Sequence, residues 1–289
     1  MRPRQASCLV MGEEDDRAAA APPPADPVAD GLAILARAVE SFRPVKVFAL
    51  FSGGHDSLCS THLASRSPRF DGCVHIDTGT GIEETRAFVR ATCAKHGWPL
   101  REYRPPMSYE DIVLRWGFPG PAGHSLVYGR LKERCLRQLV REHKSARGDR
   151  VLLVSGIRRQ ESRRRMGYVE PVQPDRARVW AAPLLNWSHD DKYAYLAANA
   201  LDRNPVVERL CMSGECLCGA FARKGELDEI AFWYPEAAAR IRALEARAAA
   251  AGVPCRWGHA PHAGKRTVPP PAVGLCWSCG VKKAEEEDG

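Results

Sequence analysis

Short apolar runs alternate with amphipathic stretches along this chain, and the alternation predicts an α/β fold. The runs at residues 45–51, 72–77 and 150–156 have the length of buried strands. Residues 28–42 and 125–144 instead place apolar side chains three or four positions apart, as on one face of a helix. Strands and helices in this order form a parallel sheet with helices on both faces.

Weaker patterns extend this prediction toward the C-terminus. They indicate a third strand at 99–103, a short helix at 109–116, a strand and a helix after residue 178, and mostly helix at 225–252.

Composition divides the chain into three parts. Residues 1–27 mix acidic residues with alanine and proline, which predicts a disordered leader. Residues 28–204 form the predicted nucleotide-binding domain, and the Asn204-Pro205 pair marks its end. Residues 205–289 are predicted to be a small cysteine-rich, helical, metal-binding domain with a disordered acidic tail.

Length and charge narrow the class of protein. A chain of 289 residues, 45% hydrophobic, can bury one α/β core and a smaller appendage. No apolar run approaches the length of about 18 residues that a membrane span needs, and charges occupy the N-terminus, so we expect a cytoplasmic protein without membrane contact. The net charge of +7 allows an anionic partner but is equally typical of a solvated basic surface.

The strand at 45–51 ends in the sequence SGGHDS, residues 52–57, which predicts a phosphate-binding loop. Gly53 and Gly54 permit a tight turn, and the next helix directs its N-terminal N–H groups at the same point. Ser52 and Ser57 add hydroxyl groups, with His55 between them. The carboxylate of Asp56 would repel phosphate unless a cation lay between them, which suggests Mg²⁺.

Two other predicted strands end in polar residues. Asp77, Thr78 and Gly79 follow the second strand, where a ribose or base would lie in an open α/β sheet. The later strand ends at Gly156 in the run GIRRQESRRRMG, whose arginines suit phosphate or sulfate. Within this run the predicted binding residues are Gly156, Arg158, Glu161 and Ser162.

Cysteines form the second group of candidate residues. The protein has 11, and six fall in the last 79 positions: Cys211, Cys216, Cys218, Cys255, Cys276 and Cys279. A reducing compartment favours metal binding over disulfides for such a set. Ligation by thiolates alone suits a [4Fe–4S] cluster, whereas His259 would complete a Zn²⁺ site.

These motifs resemble a known family. SGGHDS is similar to the SGGxDS pyrophosphate loop of the adenine nucleotide alpha-hydrolase superfamily, and it is not a Walker loop. The stretch IDTGTGIEET resembles the DTGxxxxET element of the phosphoadenylyl-sulfate reductase branch, and residues 156–162 resemble its GxRxxES element. The Leu131-Lys132 pair is similar to a family helix that approaches the nucleotide phosphates.

The resemblance implies an enzyme that cleaves ATP to AMP and pyrophosphate and adenylates an acceptor, with Asp56, Lys132 and Arg158 as catalytic residues. Members of DNA phosphorothioation and tRNA thiolation systems look like this, so DNA, tRNA or a small molecule could accept sulfur, with a cysteine desulfurase as donor partner. Two alternatives stay open. One is a sulfonucleotide reductase that uses a thiol, and the other is a non-catalytic nucleotide-binding subunit of a modification or defence complex.

Overall fold

A computed structural model describes residues 25–161, 169–253 and 255–259. Most of the predicted leader lies outside these residues, as do Ser162, Cys276 and Cys279. The structure therefore tests neither the leader nor these three site residues, and the domain boundary at 204/205 stays a prediction.

Helices and strands alternate over most of the chain, as the apolar pattern predicts. The strands are β1 (Lys46–Leu50), β2 (Gly72–Ile76), β3 (Leu100–Tyr103), β4 (Val151–Val154), β5 (Val172–Asp175) and β6 (Arg178–Ala181). The α-helices are α1 (Pro27–Phe42), α2 (His55–Ser65), α3 (Glu83–His96), α4 (Tyr109–Trp116), α5 (His124–Tyr128), α6 (Arg134–His143), α7 (His189–Ala198), α8 (Pro205–Leu210), α9 (Glu226–Trp233) and α10 (Pro235–Ala250).

The six strands form one sheet in the order β3-β2-β1-β4-β6-β5. All neighbours are parallel except β5, which pairs antiparallel with β6. The predicted α/β fold with a parallel sheet is confirmed. Strand β5 was not predicted, because its sequence VQPD is polar and only partly buried at the sheet edge.

Helices cover both faces of the sheet. Apolar residues of α1, α2, α3 and α7 pack on one face, around Val47, Leu152 and Val179. Helix α6 packs on the other face through Leu136 and Leu139. The carboxyl ends of the central strands stay uncovered by these helices, which is where ligands bind in open α/β sheets.

The C-terminal helices have a core of their own. Helices α8, α9 and α10 share it with α4, through residues such as Ile112, Val113, Ile230 and Ala238. The helix predicted at 225–252 is in fact two, because Pro235 has no N–H to continue α9 and instead begins α10.

The helix predicted at 125–144 contains a π-helical turn, Gly129–Glu133, between α5 and α6. An extra residue in one turn rotates the apolar face, so Val127 and Leu131 belong to the C-terminal core while Leu136 packs on the sheet. Such turns often occur at functional sites. This one contains Lys132.

Among the described residues, no helix has both the length and the apolar character needed to cross a membrane.

Candidate functional site

Two glycines bring the SGGHDS loop into contact with its neighbours. Gly53 has a φ of +81°, and a Cβ there would lie 2.7 Å from Cγ2 of Thr85. A Cβ on Gly156, after β4, would lie 2.6 Å from the carbonyl carbon of Asp56. Side chains at either position would push the backbones apart. The loops after β1 and β4 therefore meet because position 156 is glycine, while Gly53 lets the SGGHDS loop approach Thr85 of α3.

Hydroxyl groups fix the shape of the loop. The Ser57 Oγ donates to the Gly54 carbonyl at 2.8 Å and accepts from the Ser52 N–H at 3.3 Å. The Ser52 Oγ lies 3.1 Å from the Ser57 Oγ. No side chain caps the N-terminus of α2, which begins at His55. A helix N-terminus of this kind directs its first N–H groups and its positive dipole end at one point, where an anion would be stabilised.

Two cations flank the carboxylate of Asp56. The Nε of Arg158 donates to Oδ1, and Nζ of Lys192 lies 3.8 Å from Oδ2. Both cations are buried, since Arg158 is 4% exposed and Lys192 6%. Because they neutralise Asp56, charge repulsion by itself no longer requires Mg²⁺ beside this residue.

Lys132 lies in the same cleft and pairs with Glu215, whose Oε2 is 2.7 Å from Nζ. The other oxygen, Oε1, is buried and has no hydrogen-bond partner in the described part of the chain. A buried acceptor without a partner is costly, so a ligand donor at this point would be stabilising.

His55 is neutral in the folded protein. Burial, and next the charge of Lys192, lower the pKa of its imidazole to about 4. The charge of Asp56 raises the pKa, yet burial outweighs this carboxylate. Glu208 Oε1 also lies 3.5 Å from Nε2. His55 therefore adds no positive charge to the cleft at neutral pH.

Together these residues line a cleft of about 520 Å³, here called the phosphate cleft. Most of the predicted residues meet in it: Ser52, Gly54, His55, Asp56, Ser57, Lys132, Gly156 and Arg158. Gly53 holds the loop in place without lining the cleft. Leu50, Phe51 and Ile76, from the ends of β1 and β2, provide apolar walls on which a base could pack. Of the remaining predicted residues, Glu161 ends a short 3₁₀ helix, Arg159–Glu161, beyond Arg158.

Asp77, Thr78 and Gly79 do not line the phosphate cleft. They line a second cleft, bounded by residues 77–80, the stretch from Arg104 to Glu110, and α10. Burial opposes ionisation of Asp77, but the Gly79 N–H and the guanidinium groups of Arg86 and Arg104 outweigh it and lower the pKa. These three residues thus line a different cleft from the SGGHDS loop, and their contact with a nucleotide stays a prediction.

Residues 211–217 separate the two clefts. Thr85 Oγ1 donates to the Ser213 carbonyl at 2.5 Å, and Thr78 Oγ1 donates to the Glu215 carbonyl at 3.0 Å. Cys211 and Cys216 line the phosphate cleft from this segment. Cys211 is disulfide-bonded in this structure, so it is not the metal-binding thiolate that the sequence predicted.

Three of the predicted metal ligands gather near Tyr109. Burial raises the pKa of its phenol, and the thiols of Cys218, Cys216 and Cys255 raise it further. The Tyr109 hydroxyl donates to the Cys218 carbonyl at 2.7 Å. Cys255 lies against Gly117, just after α4, because a Cβ added at Gly117 would be 3.7 Å from the Cys255 Sγ. Within the described ranges, no three His, Cys, Asp or Glu side chains are close enough to hold a metal.

Sequence reasoning missed three residues of the site. Lys192 and Glu215 were not singled out, and Asn204 was taken only as a boundary. The Asn204 amide is fully buried and donates to the Gly53 carbonyl at 2.9 Å, while its oxygen accepts from the Val206 N–H. The Asn-Pro pair at the start of α8 was the available signal for this contact.

Comparison with known proteins identifies the family of this chain. The phosphoadenosine phosphosulfate reductase domain matches residues 46–218, which is more than half of the chain. The chain belongs to that family. The matched range begins at β1 and ends at Cys218, so it includes the phosphate cleft and residues 211–217.

Among curated relatives, an uncharacterized 37.8 kDa protein of Escherichia phage 186 is 33% identical to this chain. The matched region covers 35% of this chain and 31% of the phage protein. Sulfate adenylyltransferase subunit 2 of Azospirillum brasilense is 28% identical over 62% of this chain and 64% of its own length. The chain thus spans less than two thirds of either relative.

Among solved structures, phosphoadenylyl-sulfate reductase from Candida auris covers 62% of this chain and 84% of its own, with 21% identity and a TM-score of 0.47. An FMN adenylyltransferase from Candida glabrata covers 62% of this chain and 59% of its own, with 13% identity and a TM-score of 0.46.

The position of Arg158 leads to a first prediction. Replacing Arg158 with Ala removes a buried guanidinium and leaves Asp56 with less positive charge beside it. We expect inorganic pyrophosphate to bind more weakly by about 1.5 to 3 kcal/mol, measured by calorimetry. Arg159→Ala is the matched control, because that guanidinium contacts the Val169 carbonyl and does not line the cleft. Equal binding by both variants would contradict a role for Arg158.

Proposed function

We propose that this protein binds ATP in the phosphate cleft, cleaves it between the α- and β-phosphates, and transfers the adenylyl group to an acceptor. The convergence of the α2 N-terminus with Lys132, Arg158 and Lys192 in one cleft carries this proposal. A helix N-terminus together with buried cations favours a polyphosphate, whose negative charge they stabilise.

In the proposed reaction an acceptor oxygen attacks the α-phosphorus, the bond to the bridging oxygen breaks, and pyrophosphate leaves with the electron pair. Lys132, Arg158 and Lys192 would stabilise the charge that develops on the leaving group. Asp56 would orient Arg158 and Lys192, and Mg²⁺ would bind with the phosphates. The adenylyltransferase name of one relative supports this reaction class.

Sulfur transfer is the second part of the proposal. An adenylated acceptor is activated for replacement of AMP by sulfur, which a cysteine desulfurase partner would supply. DNA, tRNA or a small molecule would be the acceptor. The family name, with its sulfonucleotide substrate, supports a role in sulfur chemistry.

One structural observation favours the alternative function, a sulfonucleotide reductase. The thiol of Cys216 lines the same cleft as the SGGHDS loop, where it would be near a bound sulfonucleotide. A reductase would release sulfite from that substrate and would not need ATP. A non-catalytic subunit would bind nucleotide without turnover.

One experiment separates these functions. The full chain is incubated anaerobically with ATP and Mg²⁺, and in parallel with phosphoadenylyl sulfate and a thiol reductant. We expect pyrophosphate and AMP in the first reaction and no sulfite in the second. Replacing Asp56 with Asn should abolish pyrophosphate release, because the buried cations lose the carboxylate that orients them.

Asp202→Asn is the control, since this exposed carboxylate pairs with Lys95 on the surface and does not line the phosphate cleft. Circular dichroism and a thermal melt check that each variant folds. Sulfite from the second reaction would favour the reductase, and nucleotide binding without any product would favour the non-catalytic subunit.

The cysteines support a thiolate-bound metal. The thiols of Cys216, Cys218 and Cys255 lie around Tyr109, whereas Cys211 is disulfide-bonded. With Cys276 or Cys279 from outside the described residues, Cys216, Cys218 and Cys255 would provide four thiolates, which is enough for a [4Fe–4S] cluster or a Zn²⁺ ion. A cluster would supply electron transfer or labile sulfide beside the cleft, and zinc would supply neither.

We expect anaerobically purified protein to be brown, with broad near-visible absorbance. Cys216→Ser should remove the colour and lower the thermal midpoint, since ligand binding contributes to folding energy. Cys135→Ser is the matched control, because that buried thiol donates to the Leu131 carbonyl in the helical core and should leave the colour unchanged. Colourless protein with stoichiometric zinc would contradict the cluster, and protein with neither metal would contradict both.

A further inference from the structure

The second cleft is about as large as the phosphate cleft, at roughly 580 Å³. That size is within the range of small-molecule sites in proteins. Neither the SGGHDS loop nor the buried cations of the phosphate cleft line it. It therefore needs an explanation of its own.

The lining combines an apolar floor with a cationic rim. The floor consists of Tyr109, Phe118, Leu217, Ile241 and Leu244. The rim holds four arginines from separate parts of the fold: Arg86 on α3, Arg104 after β3, and Arg240 and Arg247 on α10. Guanidinium groups of like charge repel one another, so their convergence on one cavity favours an anionic ligand that binds them together.

Carboxylates balance only part of this charge. Asp77 accepts from Arg86 at 2.8 Å and from Arg104 at 3.0 Å, and Glu110 pairs with Arg247. Glu83, outside the lining, also pairs with Arg86, so three acids face four arginines and one positive charge is in excess.

Arg240 carries the largest share of that excess. One of its N–H groups donates to the Gly81 carbonyl at 2.9 Å, and no carboxylate of the described residues pairs with it. The Nε of Arg86 is also buried and lacks a hydrogen-bond partner within the described ranges. Both guanidinium groups thus retain donors for a carboxylate, phosphate or sulfate group.

A continuous wall divides the two clefts. The Ile82 N–H donates to the Gly214 carbonyl at 2.8 Å, and the Leu217 N–H donates to Thr80 Oγ1 at 3.0 Å. A Cβ on Gly81 would lie 2.6 Å from the Glu215 carbonyl oxygen, so the segments touch. A ligand can therefore occupy the second cleft while another occupies the phosphate cleft.

We propose that the second cleft binds a small organic anion with an apolar body, separately from and simultaneously with a nucleotide in the phosphate cleft. The anionic group lies against Arg240 and Arg104, and the apolar body packs on Tyr109 and Ile241. This site goes beyond the proposed adenylyl transfer, and its existence does not depend on ATP cleavage.

Phenyl phosphate is a suitable probe, because it joins a dianion to an aromatic ring. Its binding to the full chain is measured by calorimetry in the presence of saturating ATP analogue with a methylene bridge between the α- and β-phosphates. We expect one phenyl phosphate per chain, bound at least tenfold more tightly than inorganic phosphate. Arg240→Ala should weaken this binding at least tenfold.

Arg242→Ala is the matched control. This substitution removes another arginine from the same helix. Arg242 is exposed, its guanidinium lies 3.9 Å from the Asp228 carboxylate, and it does not line the cleft. Its affinity for phenyl phosphate should equal that of the unaltered protein. An Arg240→Lys variant should recover part of the lost affinity if charge is what matters.

Three results would overturn the proposal: no phenyl phosphate binding, equal binding by the Arg240→Ala and Arg242→Ala variants, or full displacement of phenyl phosphate by the ATP analogue. If phenyl phosphate binds in an Arg240-dependent way to a chain that does not bind the ATP analogue, the second site is supported and the proposed function is contradicted. Failure of the second site and failure of the proposed function are therefore distinguishable.

Discussion

The contact between the loops after β1 and β4 is the constraint on which the candidate site depends. A Cβ at Gly156 would lie 2.6 Å from the Asp56 carbonyl carbon, so only glycine lets these backbones meet. That approach brings Arg158 to the carboxylate of Asp56 at the start of α2. Lys192 reaches the same carboxylate from α7, and the α2 N-terminus thereby acquires two buried cations.

The C-terminal segment completes this arrangement. Asn204 holds the Gly53 carbonyl, and residues 211–217 cover the loop while Glu215 pairs with Lys132. A segment that looks like a separate cysteine-rich unit in the sequence thus forms one wall of the phosphate cleft. This position is what would let a metal held by its thiols act beside a bound nucleotide.

The sequence predicted the fold class, five of the six strands and most of the phosphate cleft, because apolar runs and the SGGHDS loop are local patterns. Contacts between distant segments left no such pattern. The pairing of Lys132 with Glu215 spans 83 positions, and Lys192 approaches Asp56 only through the packing of α7. Asp77 follows β2 as predicted, yet it faces the second cleft because residues 211–217 pass between it and the loop.

The most direct test is a crystal structure of the full chain grown anaerobically with Mg²⁺ and the methylene-bridged ATP analogue. The account predicts the β- and γ-phosphates on the backbone N–H groups of residues 53–56, within hydrogen-bond distance of Lys132, Arg158 or Lys192. It also predicts the adenine between the ends of β1 and β2, beside Phe51 and Ile76. An analogue whose phosphates lie on the arginines of the second cleft, with the SGGHDS loop empty, would contradict it.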